Sequence, residues 1–185
     1  MSRAGEVLTE IEKKARIEYL PIIGPQKGKV LAKVIHETKP KRVLEVGSLI
    51  GYSAVTMAKE LGSEAELIMI EADADEARVA EKNIKRARVK PMIRIIVGDA
   101  VEVIPKLKGM FDLVFLDAEK SEYLVYLHLV EAKLHNGSTI VADNAGMLAY
   151  QMRDYLGYVR TSGKYHSRYI PVAEDGLEIS VRQEI

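Results

Sequence analysis

Arg42-Val43-Leu44-Glu45-Val46-Gly47-Ser48-Leu49-Ile50-Gly51-Tyr52-Ser53 decides the fold. An apolar run of strand length enters a glycine turn and leaves it at helical spacing, with Ala54, Met57, Ala58 and Leu61 on one stripe. Gly47 permits a tight turn against a ligand, and Gly51 lets the following helix start close to the strand. The same alternation recurs downstream. Leu67–Ile70, Ile93–Val97, Asp112–Leu116 and Thr139–Ala142 join Arg42–Val46 as strands, each largely apolar, as parallel strands covered on both faces should be. Ala77, Ala80, Ile84 and Ala87 form a second helical stripe. Tyr123, Leu127, Val130 and Leu134 form a third, opened by Ser121 and closed by Gly137. Asp99 with Glu102 reads as a capping box for a short helix that Pro105 ends. Strand–helix alternation repeated this often predicts an α/β fold: a doubly wound, mostly parallel sheet with helices on both faces.

Outside this unit, Glu6–Tyr19 and Lys27–Thr38 read as helices separated by Pro21 and Pro25. At the other end Leu177, Ile179 and Val181 alternate with Glu178, Ser180 and Arg182, the period of a strand. Lys164–Val172, before the turn Glu174-Asp175-Gly176, is its expected hairpin partner, so the sheet should end in an antiparallel pair. No repeat or linker interrupts the chain. One domain over 1–185 is expected, with 1–38 as helices covering the substrate side and 39–185 as the sheet core.

The 185 residues carry 27 Lys plus Arg against 27 Asp plus Glu, a net charge of zero, which argues against a nucleic-acid coat protein or an acidic tail. With 48% hydrophobic and 29% charged residues the chain can bury a core, and it is not a disordered segment. The absence of Cys removes disulfide scaffolds, thiolate metal sites and cysteine nucleophiles together. The charged N-terminus lacks a signal-peptide apolar stretch, and the apolar runs are strand-sized, so a cytoplasmic protein without a membrane span is expected.

Open parallel sheets bind ligands beyond the carboxyl ends of their strands. There the first strand places a carboxylate, Glu45, two residues before Gly47, and the G-x-G-x-x-G of a pyrophosphate cradle is missing. An acid in that position repels phosphate and suits a cation. S-adenosylmethionine carries a sulfonium and an ammonium and has no phosphate. Glu71 ends the second strand 24 residues after Gly47, about where an acid accepts ribose hydroxyls. Asp99 follows the third strand, within reach of an adenine edge. A helix cap explains any one of these acids equally well; three successive strands each delivering one is harder to explain that way.

The fourth and fifth strands end in Asp117 and in Asp143-Asn144, 26 residues apart, one strand–helix–strand unit, so they should emerge side by side. Two carboxylates and an amide oxygen are hard ligands suited to Mg²⁺ or another divalent cation, and no His joins them, which argues against zinc. Helix caps plus an exposed Asn explain the trio equally well. Lys120 lies three residues after Asp117. A lysine beside a dication and partly desolvated can act as a base near neutrality, although spacing alone favours a solvated lysine.

At these residues the sequence resembles the metal-dependent O-methyltransferases of the catechol and caffeoyl-coenzyme A type. LEVGSLIGYSA, FDLVFLDAEKSEY, TIVADNAG and the terminal DGLEIS carry the likeness, in order, over roughly 26–182. The resemblance implies a seven-stranded, Rossmann-like methyltransferase fold with an antiparallel last strand. It implies that Glu45, Gly47, Ser53, Glu71, Asp99, Ala100 and Asp117 bind S-adenosylmethionine. Asp117, Asp143 and Asn144 would hold the metal, and Lys120 would be the base for a vicinal-hydroxyl small molecule. Two departures bear on specificity. Tyr169 stands where catechol enzymes have a glutamate, and Glu119 replaces the aromatic gate.

Two other functions compete. The stretch Lys82, Lys85, Arg86, Arg88, Lys90 and Arg94, with nine Tyr in the chain, would suit methylation of a hydroxylated nucleoside in RNA, although a solvated helix face explains it more simply. A non-catalytic S-adenosylmethionine-binding protein would be expected to have lost Lys120 or the carboxylates. His166 is placed by its position in the tail near the substrate side. The oligomeric state stays open, a homodimer included.

Overall fold

The computed structural model describes residues 2–184. Two helices, α1 (Arg3–Glu18) and α2 (Gly24–Thr38), precede an alternating run: β1 (Arg42–Val46), α3 (Tyr52–Glu60), β2 (Glu66–Glu71), α4 (Ala74–Ala87), β3 (Met92–Val97), α5 (Ala100–Val103) and β4 (Phe111–Leu116). Then follow α6 (Tyr123–Glu131), β5 (Leu134–Ala142), α7 (Arg153–Thr161), β6 (Tyr165–Val172) and β7 (Asp175–Arg182). The seven strands form one sheet in the order β3-β2-β1-β4-β5-β7-β6. β7 runs antiparallel to both its neighbours, and the pairs among β1 to β5 are parallel. This is the doubly wound sheet with an antiparallel last strand that the sequence predicts.

Successive side chains of a strand point to opposite faces, so each covered strand feeds two cores. Val43, Leu67, Met69, Leu113 and Phe115 pack with α1 to α4 on one face. Leu44, Val46, Ile68, Ile70, Val114 and Leu116 pack with α5, α6 and α7 on the other. The two edge strands depart from this: β3 leaves Met92 and Val97 exposed, and β6 leaves Tyr169 exposed. Strand order reverses between β1 and β4, where the connections leave for opposite faces, and such a switch point opens a crevice.

Several local expectations are corrected. Gly137 does not close the third helix: α6 ends at Glu131, and both Leu134 and Gly137 belong to β5. Gly137 has φ +88° in a stretch where the β4–β5 register slips, so its backbone freedom serves a strand irregularity. Ser121 does not cap α6 either; it sits in a 3₁₀ turn, Lys120–Glu122, with its hydroxyl donating to Glu119. Pro105 falls in a second 3₁₀ turn, Ile104–Lys106, that ends α5 as expected. Helix α7 is unforeseen. Its start has no side-chain cap and Gly157 lies in its middle, but Tyr155, Leu156 and Val159 are buried. The tertiary apolar contact outweighs weak local propensity.

Candidate active site

At the carboxyl ends of β1 to β5 lies a cavity of about 700 Å³, within the range that drug-sized ligands and cofactors occupy. Gly47, Ser53, Glu71, Asp99, Ala100, Asp117, Lys120, Asp143 and Asn144 all line it. Of the sequence-derived site residues only Glu45 does not. Among the lining are seven carboxylates against two ammonium groups, Lys27 and Lys120. A crevice with that balance attracts cations and rejects phosphate.

The turn after β1 is built for close approach. Gly47 has φ +84°, and a Cβ there would lie 2.3 Å from the Asp117 carbonyl oxygen, so the β1 and β4 turns touch through bare backbone. Beyond it, the amides of Ser48 and Leu49 donate to Glu71 Oε2 at 2.9 and 2.8 Å, while Asp73 donates to Oε1 at 3.1 Å. In a dinucleotide fold such free amides would cradle a pyrophosphate. Here a carboxylate of the chain itself occupies them, which is the physical counterpart of the missing third glycine. Glu71 therefore braces the turn as well as facing the cavity.

Asp99 caps α5, accepting from Val101 N at 2.8 Å, and lines the cavity with Ala100. The cap role weighed for it is thus present, and the residue also faces the cavity.

Glu45 lies behind the lining, fully buried. Its Oε1 accepts a short bond from the Ser53 hydroxyl, and Oε2 has no hydrogen-bond partner among the described residues. Burial pushes its carboxyl up to about 8 from the ordinary 4.5, against the opposing Ser53 bond. The raised value has a sign. Between about pH 4.5 and 8 the folded chain holds a proton that the unfolded chain has released, so this group's contribution to stability falls as pH rises through that window. Glu45→Gln should remove this slope. In urea unfolding the variant should gain on the parent by roughly 3 kcal/mol between pH 5 and pH 8, at about 1.4 kcal/mol per unit. Parallel profiles would refute the buried neutral carboxyl.

Asp117 and Asp143 follow neighbouring strands, as their spacing requires: Asp117 N donates to the Val46 carbonyl and Asp143 N to that of Leu116, both at 2.9 Å. Desolvation pushes both carboxyls up, and the charge of Asp143 adds to the rise at Asp117. Lys120 Nζ donates to Asp117 Oδ1 at 3.0 Å and to the Ala118 carbonyl at 2.9 Å. Asn144 adopts φ +61°, a left-handed conformation that asparagine tolerates better than most residues.

Two residues escaped the sequence reading. Lys27, from the first turn of α2, places Nζ 2.6 Å from both Asp143 Oδ1 and Asp175 Oδ2. Lys27 thus bridges the two carboxylates, and its charge opposes the upward push of desolvation at Asp143. Asp175 is held down to about 2: burial opposes this, but the bonds from Lys27 and the Met147 amide prevail. Lys27 is 148 residues from Asp175, and no local spacing could have joined them.

Whether these residues suit a divalent cation is decided by their donors. Among the described residues no cluster combines three or more His, Cys, Asp or Glu in metal-binding arrangement. The candidate set here is two carboxylates and one amide, all able to offer hard oxygen donors to the cavity. That set fits a Mg²⁺-type ion that retains water.

Other candidates fall outside the cavity. His166 sits at the start of β6, paired with Val181, at the end of the sheet remote from the site. Tyr169 donates to the Asp175 carbonyl at 2.9 Å and does not line the cavity. Of the basic stretch, Lys82, Lys85, Arg86 and Arg88 line a separate groove between α1 and α4, where Arg86 pairs with Glu10 and Lys85 with Glu81, and Arg94 pairs with Glu66 on the sheet. Among the described residues no helix is long and apolar enough to cross a membrane.

Comparison with known proteins identifies the family. A family model described as O-methyltransferase matches residues 2–151. A catechol O-methyltransferase of Sus scrofa is 34% identical over 172 residues, covering 86% of this chain and 91% of that protein. Catechol O-methyltransferase B of Danio rerio is 37% identical over 89% of this chain, which spans 66% of that protein's length. A crystal structure of a putative O-methyltransferase from Klebsiella pneumoniae superposes with a TM-score of 0.88 at 26% identity, covering 96% of this chain and 90% of that one. Family match, relatives and sheet order converge: the chain belongs to the O-methyltransferase family.

Proposed function

We propose that this protein transfers the methyl group of S-adenosylmethionine to a hydroxyl of a small, catechol-like acceptor, with a divalent cation, Mg²⁺ or a similar ion, as cofactor. The observation that carries the reading is the concentration of buried and half-buried carboxylates around Lys120 at the switch point of the sheet. Such a pocket favours a sulfonium and a metal ion over a phosphate-bearing nucleotide.

Asp117, Asp143 and Asn144 would hold the cation, which supplies Lewis acidity to an acceptor hydroxyl. Glu71, Asp99, Ala100, Gly47 and Ser53, all on the cavity lining, would hold S-adenosylmethionine. Lys120, which as a neutral amine keeps two N–H groups for Asp117 and the Ala118 carbonyl, would take the acceptor's proton on its lone pair. The resulting oxyanion attacks the methyl carbon, the new O–C bond forming as the C–S bond breaks. The sulfur leaves with the electron pair as neutral S-adenosylhomocysteine. Nucleophile and electrophile are oppositely charged, so most of the acceleration comes from holding them in line. Pro21, Ile22 and Leu148 add apolar side chains to the lining.

The naming of the Sus scrofa and Danio rerio relatives as catechol enzymes supports the acceptor class. Tyr169, bonded away to the Asp175 backbone, leaves the position of the catechol enzymes' glutamate without a carboxylate, so a second acceptor hydroxyl would be oriented differently here. The RNA reading draws no support from the groove between α1 and α4, where Glu6, Glu10 and Glu81 sit among the cations. A screen with labelled S-adenosylmethionine over catechols, caffeoyl esters and hydroxylated nucleosides tests the proposal. Labelled catechol-type product is expected; labelling of nucleosides alone would replace it.

A further inference from the structure

Asp175 gathers more donors than any turn requires. Its Oδ1 accepts from the amides of Gly146 and Met147 at 3.0 and 2.8 Å. Its Oδ2 accepts from Asn144 Nδ2 at 2.8 Å and from Lys27 Nζ at 2.6 Å. Its backbone carbonyl takes the Tyr169 hydroxyl at 2.9 Å. The packing is close enough that a Cβ on Gly146 would lie 3.0 Å from Asp175 Oδ1 and 2.5 Å from the Tyr169 oxygen. The carboxylate is nearly buried, and it reaches from β7 to the loop after β5.

An asparagine amide has one face that donates and one that accepts. A carboxylate can only accept, so Asp175 binds the Nδ2 face of Asn144 and leaves Oδ1 free. Asn144 lines the cavity, and only its oxygen could serve a hard cation. We infer that Asp175 is a positioning residue for the cation site: it fixes the orientation of the Asn144 amide so that oxygen, not nitrogen, is offered to the ion. The inference rests on the metal reading given above. Lys27 completes the device by tying the same carboxylate to Asp143, which sets the second ligand in register with the first.

The chemistry of the pair gives a test by exchange. In Asp175→Asn the retained oxygen can still accept from Gly146 and Met147, but an NH₂ now meets the NH₂ of Asn144. The amide of Asn144 must then turn its nitrogen toward the cavity. In Asn144→Asp two carboxylates face each other across the same contact. The double variant carrying both changes restores one donor and one acceptor, with the partners reversed, and again leaves an oxygen facing the cavity.

Mn²⁺ affinity, read from the electron paramagnetic resonance signal of the free ion with no acceptor or methyl transfer involved, follows each state. Asp175→Asn is expected to weaken binding about 10- to 100-fold, as loss of such supporting bonds does elsewhere. Asn144→Asp should weaken it at least severalfold despite the added negative charge, and the double variant should regain most of the parent affinity. Unchanged affinity in Asp175→Asn, tighter binding in Asn144→Asp, or no recovery in a folded double variant overturns the inference while the metal reading stands. Absence of Mn²⁺ binding by the parent protein overturns both. Asn144→Asp keeps Asp175 and both of its bonds to the loop amides, so it decides the question even where Asp175→Asn fails to fold.

Discussion

Lys120→Ala should lower methyl transfer by roughly 10²- to 10⁴-fold, the usual worth of a positioned acid or base, while S-adenosylmethionine affinity changes only a few fold. Nζ of Lys120 bonds two groups of its own turn, Asp117 Oδ1 and the Ala118 carbonyl, and otherwise lies 5.4 Å over the Tyr123 ring at the start of α6. Its removal leaves the sheet and both cores in place. Lys120→Arg separates a base from a mere positive charge. The guanidinium keeps the charge beside Asp117 but does not give up its proton at any working pH. Both variants should therefore be inactive at neutral pH, with cofactor binding by calorimetry close to the parent. A fully active arginine variant would show that Lys120 contributes charge alone.

Gly47→Ala should be the most damaging single methyl group in the protein. The added carbon would lie 2.3 Å from the Asp117 oxygen, 2.8 Å from its carbonyl carbon and about as close to Ala118, and the first two are backbone atoms that cannot rotate away. The positive φ adds roughly 1–2 kcal/mol for an L-residue, and forced overpacking typically adds about 1–3 kcal/mol. A loss of roughly 2–5 kcal/mol is therefore expected in urea unfolding, set against total stabilities of about 5–15 kcal/mol for ordinary domains. The chain should still fold, but with the β1 and β4 turns pushed apart and cofactor binding lost. Retention of both stability and binding would contradict the close approach of the two turns.

Much of this was legible in the sequence because it is local. The apolar runs and helical stripes between residues 42 and 142 report burial directly, since each strand faces helices on both sides. The strand-end acids could be placed because a parallel sheet delivers its strand ends to one edge in order. What was hidden depends on long-range closure. Asp175 reads as a turn residue in Glu174-Asp175-Gly176, and nothing near it reveals that Lys27 and Asn144 converge on its carboxylate. Glu45 does stand near the carboxyl end of β1, but side-chain alternation along the strand sends it into the α3 side behind Ser53 rather than onto the cavity wall. Gly137 shows the same limit in miniature. A glycine after an apolar stripe fits a helix end, and only the pairing of β5 with β4 shows that it bends a strand.

The central claim is that the cavity at the switch point joins a cationic methyl donor to an oxygen-bound metal ion. Its most direct test is methyl transfer to a catechol acceptor before and after removal of divalent ions with a chelator, followed by restoration with Mg²⁺. Activity should vanish with the chelator and return with Mg²⁺ in the parent protein, but not return in Asp143→Ala. Transfer that continues at an undiminished rate in the chelator would contradict the metal-assisted site.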